Sequence, residues 1–169
     1  MADTTACMSS KKMDWQTPEK ILEPVRLMSG GIIGLDPCTT PENPTKAQEF
    51  FYENGLSKPW KTRAGEICFT NPPYGRAIGG WVQKCGAEDG TESILLVPAR
   101  PDTRWWHDGV FNEETCRAIC WIKGRLTFTG APGPAPFPSA LIYYPDNSHR
   151  LDDFRKYFDH LGHITELQR

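Results

Sequence analysis

Short, wholly apolar runs take turns with one-sided apolar stripes along this chain. The clearest run is SILLVP over residues 93–98, where the near absence of polar positions suits a strand covered on both faces. Similar runs predict strands over 31–35, 66–70, 118–122 and 140–144, with a shorter one over 48–52. The stripes predict helices. Ile78, Trp81, Val82 and Cys85 line one face over 78–87, and Leu151, Phe154, Phe158 and Leu161 line another over 151–161, with Gly162 as the stop. A third helix follows Thr17 as N-cap and Pro18 as first helical residue, with Ile21, Leu22, Val25 and Leu27 as its apolar positions. Pro24 is expected to kink or shorten it, and Gly79-Gly80 weaken the helix over 78–87. Strands alternating with helices indicate an α/β sheet whose binding loops gather at one edge.

Composition narrows the picture. A chain of 169 residues makes one domain of ordinary size, read here as a polar tail over 1–13 and a single domain over 14–169. Its 15 glycines and 15 prolines mark loops, above all 130–139 with four prolines and two glycines. A formal net charge of −2 argues against a broad basic face, so a nucleic-acid partner would be gripped by a local patch. Six cysteines without a CxxC pair point to reduced thiols in a cytoplasmic protein and to no metal site. No apolar run is long enough for a membrane span, and no GxxxxGK[ST] or GxGxxG motif supports nucleotide hydrolysis or dinucleotide binding.

The chemistry concentrates in EICFTNPPYG over 66–75. Pro72 and Pro73 end the strand at once, because neither has an N–H for a ladder. Asn71 and Tyr74 therefore sit on a stiff loop at a strand's carboxyl end, where open α/β sheets bind ligands. The Asn71 amide oxygen and the Pro72 carbonyl are adjacent acceptors suited to a group with two N–H donors, such as an exocyclic amine or a primary amide. Tyr74 adds a flat face for stacking. Without a ligand the same residues form only a Pro-rich turn. A second cluster, Arg100, Asp102, Arg104, Trp105, Trp106 and His107, follows the strand over 93–98 and interleaves charge with aromatic rings, which suits phosphates and unstacked bases. Read without a ligand, it is a helix start capped by Asp102 or Thr103, with the tryptophans in the core.

Asn71-Pro72-Pro73-Tyr74 resembles the catalytic motif of amino-group methyltransferases that use S-adenosylmethionine. The neighbouring motifs narrow the resemblance to phage-type DNA N6-adenine methyltransferases: Asp14-Trp15-Gln16-Thr17-Pro18-Glu19, Leu35-Asp36-Pro37-Cys38, Gly55-Leu56 with Trp60, Pro98 to Thr103 with Trp105-Trp106-His107, Gly124 to Phe128, and Ala135-Pro136-Phe137-Pro138-Ser139. The resemblance implies a compact, abbreviated Rossmann-like fold and DNA as partner. It also implies cofactor contacts from Trp15, Gln16, Thr17, Pro18, Asp36, Pro37, Cys38 and Asn71, with catalysis by Asn71, Pro72, Pro73 and Tyr74. Arg100, Asp102, Arg104, Trp106, Arg125, Phe137 and Ser139 join Tyr74 as substrate contacts. Cys38-Thr39-Thr40-Pro41 departs from the family's glycine-rich cofactor loop, so close backbone approach there is not expected from the turn itself. Glu49 or Glu53 is the candidate acid for the ribose hydroxyls, against the plainer reading of an exposed carboxylate on a strand. RNA or a glutamine amide is an alternative acceptor, and a non-catalytic nucleic-acid or partner-binding module is the alternative from another class. Protection of phage DNA against restriction is what the resemblance suggests as purpose.

Overall fold

The computed structural model describes residues 16–88, 90–146 and 150–168. The tail read over 1–13, together with Asp14 and Trp15, lies outside the described residues. Seven strands are present among them: β1 (Leu35–Asp36), β2 (Glu49–Phe50), β3 (Cys68–Thr70), β4 (Ser93–Pro98), β5 (Ala118–Ile122), β6 (Ser139–Tyr144) and β7 (Gly162–Glu166). The helices are α1 (Glu19–Met28), α2 (Ile78–Ala87), α3 (Arg104–Trp106), which widens into a π turn over His107–Phe111, and α4 (Leu151–Phe158).

One sheet holds the strands in the order β2-β1-β3-β4-β6-β5-β7. Strands β1 to β4 are parallel, whereas β6 runs antiparallel between β4 and β5, and β7 antiparallel on the far side of β5. Side chains of β4 leave the sheet alternately. Ile94 and Leu96 enter the core under α1 and α4, and Leu95 and Val97 the core under α2 and α3. This two-sided burial explains the unbroken apolar run, since a strand covered on both faces has no polar side. The architecture is the α/β fold read from the sequence, with its first half reduced to the two-residue strands β1 and β2.

The strand order places the site. The chain leaves β1 for the outer strand β2 and returns to β3 on the other flank of β1. Loops diverge at such a reversal and leave a crevice outside the carboxyl ends of the two central strands. Asp36 ends β1 and Asn71 follows β3, so both stand at this crevice.

Several expectations change. The strand read over 31–35 is Leu35–Asp36, because Gly30 and Gly31 adopt φ of 74° and 107° in the turn after α1. The strand read over 66–70 shortens to Cys68–Thr70. Thr17 is not the N-cap of α1: Pro18 holds that position with extended backbone, and the Thr17 hydroxyl is taken by Asn71. Helix α1 runs for 10 residues through the buried Pro24 without ending there. Outside the named strands, Thr129 exchanges two backbone hydrogen bonds with Gln16 at 3.0 and 2.9 Å. Gly162 begins β7 rather than merely ending a helix. A Cβ there would lie 1.9 Å from the Trp121 carbonyl, so glycine is what allows the strand to close on β5.

Candidate active site

Asn71 leaves the end of β3 half-buried and is held at both ends of its amide. Its Nδ2 donates to Thr17 Oγ1 at 3.0 Å, and the Tyr74 hydroxyl donates to its Oδ1 at 2.7 Å. Burial holds the Tyr74 phenol protonated, its pKa far above the ordinary range, so it remains a donor to Asn71 at neutral pH. An amide oxygen has two lone pairs, and Tyr74 uses one. The neighbouring Pro72 carbonyl accepts no hydrogen bond from the described residues. Asn71 and Pro72 thus keep acceptor capacity side by side on a loop that two prolines stiffen. The Tyr74 ring meets Phe137 edge to face, with centroids 5.5 Å apart and planes at 82°.

Asp36 stands beside this loop at the end of β1 and is 3% exposed. Thr45 Oγ1 donates to one carboxylate oxygen at 2.7 Å and the Cys38 N–H to the other at 3.0 Å. Burial pushes the Asp36 carboxyl up to about 6, against the hydrogen bonds from Thr45, Cys38 and Thr39 that favour the ionised form. The Cys38 thiol is pushed up to about 12, by burial first and the Asp36 charge second.

The turn after β1 has no glycine, and close backbone approach is supplied to it from outside. Gly55 packs so tightly against this turn that a Cβ on it would lie 1.9 Å from the Pro37 carbonyl. The Gly55 carbonyl accepts from Trp60 Nε1 at 2.8 Å, and Trp60 stacks on Trp81 of α2 at 6.0 Å. The Gly55-Leu56 and Trp60 motif is therefore a buttress for the Asp36 turn. Sequence reading gave Gly55-Leu56 with Trp60 only as a motif and missed this contact, whose signal was an isolated glycine in a segment without strand or helix pattern.

The remaining candidates divide. Arg100 follows β4 with its guanidinium carbon 5.9 Å from the Phe137 centroid, which links it to Tyr74 through Phe137. Arg100 and Arg104 line a cleft of about 600 Å³ with Tyr74, Pro98 and Trp105. Asp102 and Arg125 are exposed and do not line that cleft. Trp106 is corrected from substrate contact to core: it is fully buried, stacked on Trp121 at 5.5 Å, and the half-buried Trp105 faces the cleft instead. Ser139 lies buried in β6 opposite Pro98, its hydroxyl without a partner. Pro18 is buried at the α1 start, whereas Gln16 is exposed and reaches the others through its backbone pairing with Thr129. Glu49 and Glu53 are both exposed.

Acceptors on an Asn-Pro-Pro-Tyr loop, a buried acid on the neighbouring strand and a cleft with arginines stand together at one sheet edge. The model of the family described as DNA N-6-adenine-methyltransferase (Dam) matches residues 4–136. The chain belongs to this family. The match spans Thr17, Asp36, Asn71 to Tyr74, Arg100 and Arg104, and stops one residue before Phe137. Comparison with curated proteins gives no match. Dam membership agrees with the resemblance read from the motifs and places the chain among DNA adenine methyltransferases. Among the described residues no cluster of His, Cys, Asp and Glu is arranged to hold a metal ion, and no helix is long and apolar enough to cross a membrane.

Proposed function

We propose that this Dam-family chain transfers a methyl group from S-adenosylmethionine to the N6 amino group of adenine in DNA. The observation that carries the reading is the pair of acceptors at Asn71 and Pro72, with the Asn71 amide oriented by Thr17 and Tyr74. An exocyclic amine has two N–H donors, and two fixed acceptors would hold it in one plane while drawing electron density onto its nitrogen. A base in a duplex must leave its stack to reach this loop, and Tyr74 with Phe137 offers an aromatic wall to receive it.

The donor set fits the cofactor. S-adenosylmethionine supplies a methyl group already activated on a positively charged sulfur. Asp36 would meet its ammonium or hydroxyl donors at the crevice, and being ionised above about pH 6 it would bring negative charge to a cationic ligand. Pro18 and the Asp36-Pro37-Cys38 turn would form the walls, with Gln16 and Thr17 closing over them. Asn71 and Pro72 would then fix the amine in line with the methyl group. Such positioning supplies most of the acceleration in a transfer of this type, and neither acceptor is basic enough to retain the proton, which leaves to solvent.

The test is transfer of labelled methyl from S-adenosylmethionine to unmethylated DNA, with Asn71→Ala alongside and product nucleosides identified by mass spectrometry. N6-methyladenine is expected with the parent, falling about a hundredfold or more with the variant. A parent protein that binds the cofactor but leaves DNA unlabelled would overturn the reading, and label in RNA or on glutamine would name the true acceptor.

A further inference from the structure

The cleft beside the Asn71 loop has a composition that holding one adenine does not require. Its rim gathers three guanidinium groups from separate segments: Arg76 just past the Asn-Pro-Pro-Tyr loop, Arg100 after β4 and Arg104 at the start of α3. Arg76 and Arg100 have no acidic partner among the described residues. Arg104 has only Asp108 at 3.9 Å, and both of those side chains are more than half exposed, so water screens the pair strongly. Counting Asp108, the cleft carries a positive balance in a chain whose formal net charge is −2. The charge is thus concentrated where the target would enter.

The floor of the cleft is bare. Gly79 and Gly80 occupy the first turn of α2 and both line the cleft, although glycine is the poorest helix former after proline. Packing does not demand it. A Cβ on Gly79 would meet the Trp105 Cβ at 3.4 Å, and one on Gly80 would meet Leu56 Cδ1 at 3.7 Å, both ordinary contacts. Neither residue has the positive φ that glycine alone tolerates. Their missing side chains leave the cleft open between the arginines, with the half-buried Trp105 as one wall.

We infer that this cleft holds the DNA strand immediately flanking the target adenine, its phosphates paired with Arg76, Arg100 and Arg104 and a neighbouring unstacked base against Trp105. A volume of about 600 Å³ lies in the range of sites that enclose a small ligand, and here serves a short stretch of a longer strand. Guanidinium groups match phosphate geometry, and aromatic walls take bases of any identity. The site therefore grips the strand without reading its sequence. It accounts for the residues of the arginine and tryptophan cluster that methyl transfer itself leaves unused, and it rests on DNA being the substrate.

The experiment measures binding of an unmethylated adenine-containing DNA by fluorescence anisotropy across a salt series for the parent, Arg76→Gln, Arg104→Gln and Gly79→Leu. Cofactor affinity, unfolding midpoint, kcat and KM are followed in parallel. Each arginine variant is expected to weaken binding about fivefold near 0.15 M salt and to reduce the slope of log K against log salt by about 1. KM for DNA should rise while cofactor affinity, and kcat at saturating DNA, stay within about twofold of the parent. Gly79→Leu should weaken DNA binding while keeping the parent's unfolding midpoint or raising it. Unchanged slopes in variants of a parent that methylates adenine would overturn this inference and leave the catalytic reading intact. An arginine-dependent slope in a parent that methylates no adenine would do the reverse, and a parent that does not bind DNA would sink both.

Discussion

Tyr74 shows how one hydroxyl can matter more than the ring that carries it. The ring packs against Phe137, but the hydroxyl spends its proton on Asn71 Oδ1 and so decides which way the amide faces. Tyr74→Phe keeps the ring and removes that bond. The expected result is a fall in kcat of about fivefold, from the loss of one buried hydrogen bond worth about 1 kcal/mol, with DNA affinity close to the parent's; steady-state kinetics read both. Asp36 makes a different prediction. Its native pKa of about 6 lies above the ordinary value of 3.8, so the native state holds the proton more tightly than the unfolded chain. The stability this group contributes is complete below about pH 4 and is lost as pH rises through about 6, a change on the order of 3 kcal/mol. Asp36→Asn should flatten the stability profile between pH 4 and 7 relative to the parent, as denaturant unfolding at several pH values would show. The sequence marked Asn71, Tyr74 and Asp36 by type and position. It did not indicate that Tyr74 and Thr17 bind Asn71, because Thr17 is 54 residues away in the chain.

Among elements, those set by a local pattern were legible and those set by a neighbour were not. Strands β4 and β5 and helix α2 have the bounds that their apolar patterns predict. Strand β7 escaped, since only half-buried or exposed residues form it and its stripe is weak. It exists because β5 offers a free edge, Gly162 permits the approach and Trp121 Nε1 reaches Thr165 Oγ1 at 2.9 Å. The Gly55 turn is a similar case. Gly55→Ala must displace the Pro37 carbonyl, and an overpacked site of this kind costs about 1–3 kcal/mol. Because the displaced turn carries Asp36, cofactor affinity measured by calorimetry should fall along with the unfolding midpoint. Loss of stability with unchanged cofactor affinity would separate Gly55 from the site.

The whole molecule is tied together at the sheet end opposite the site. Arg150, just ahead of α4, reaches Glu92 at 2.5 Å, the Met28 carbonyl at the end of α1 at 2.7 Å and the Gly65 carbonyl at 3.1 Å. Tyr143 of β6 donates to the same Glu92 carboxylate at 2.6 Å. Arg150 thus gathers the end of α1, the turn at Gly65 and Glu92, and Tyr143 holds the same acid, which is 1% exposed. Burial raises the Glu92 pKa even with Arg150 opposing it. Arg150→Met would leave that carboxylate without its cation, and breaking a buried pair in this way costs about 3 kcal/mol or more. The sign with pH follows: the deficit relative to the parent should be largest near neutrality and shrink as pH falls and Glu92 takes up its proton. Unfolding of both proteins at pH 4.5 and 7 measures it.

Sequence alone determined the kind and order of the elements that carry a local apolar pattern, the stiff Asn-Pro-Pro-Tyr loop after a buried strand, and motifs specific enough to name a family. These are local properties: burial on two faces forces an apolar run, and proline stops a strand wherever it stands. Only the tertiary structure decided which groups orient Asn71, that Gly55 supports the Asp36 turn, and that Trp105 rather than Trp106 faces the cleft. Each of those outcomes depends on a contact between segments distant in the chain, and no periodicity or spacing within either segment records its partner.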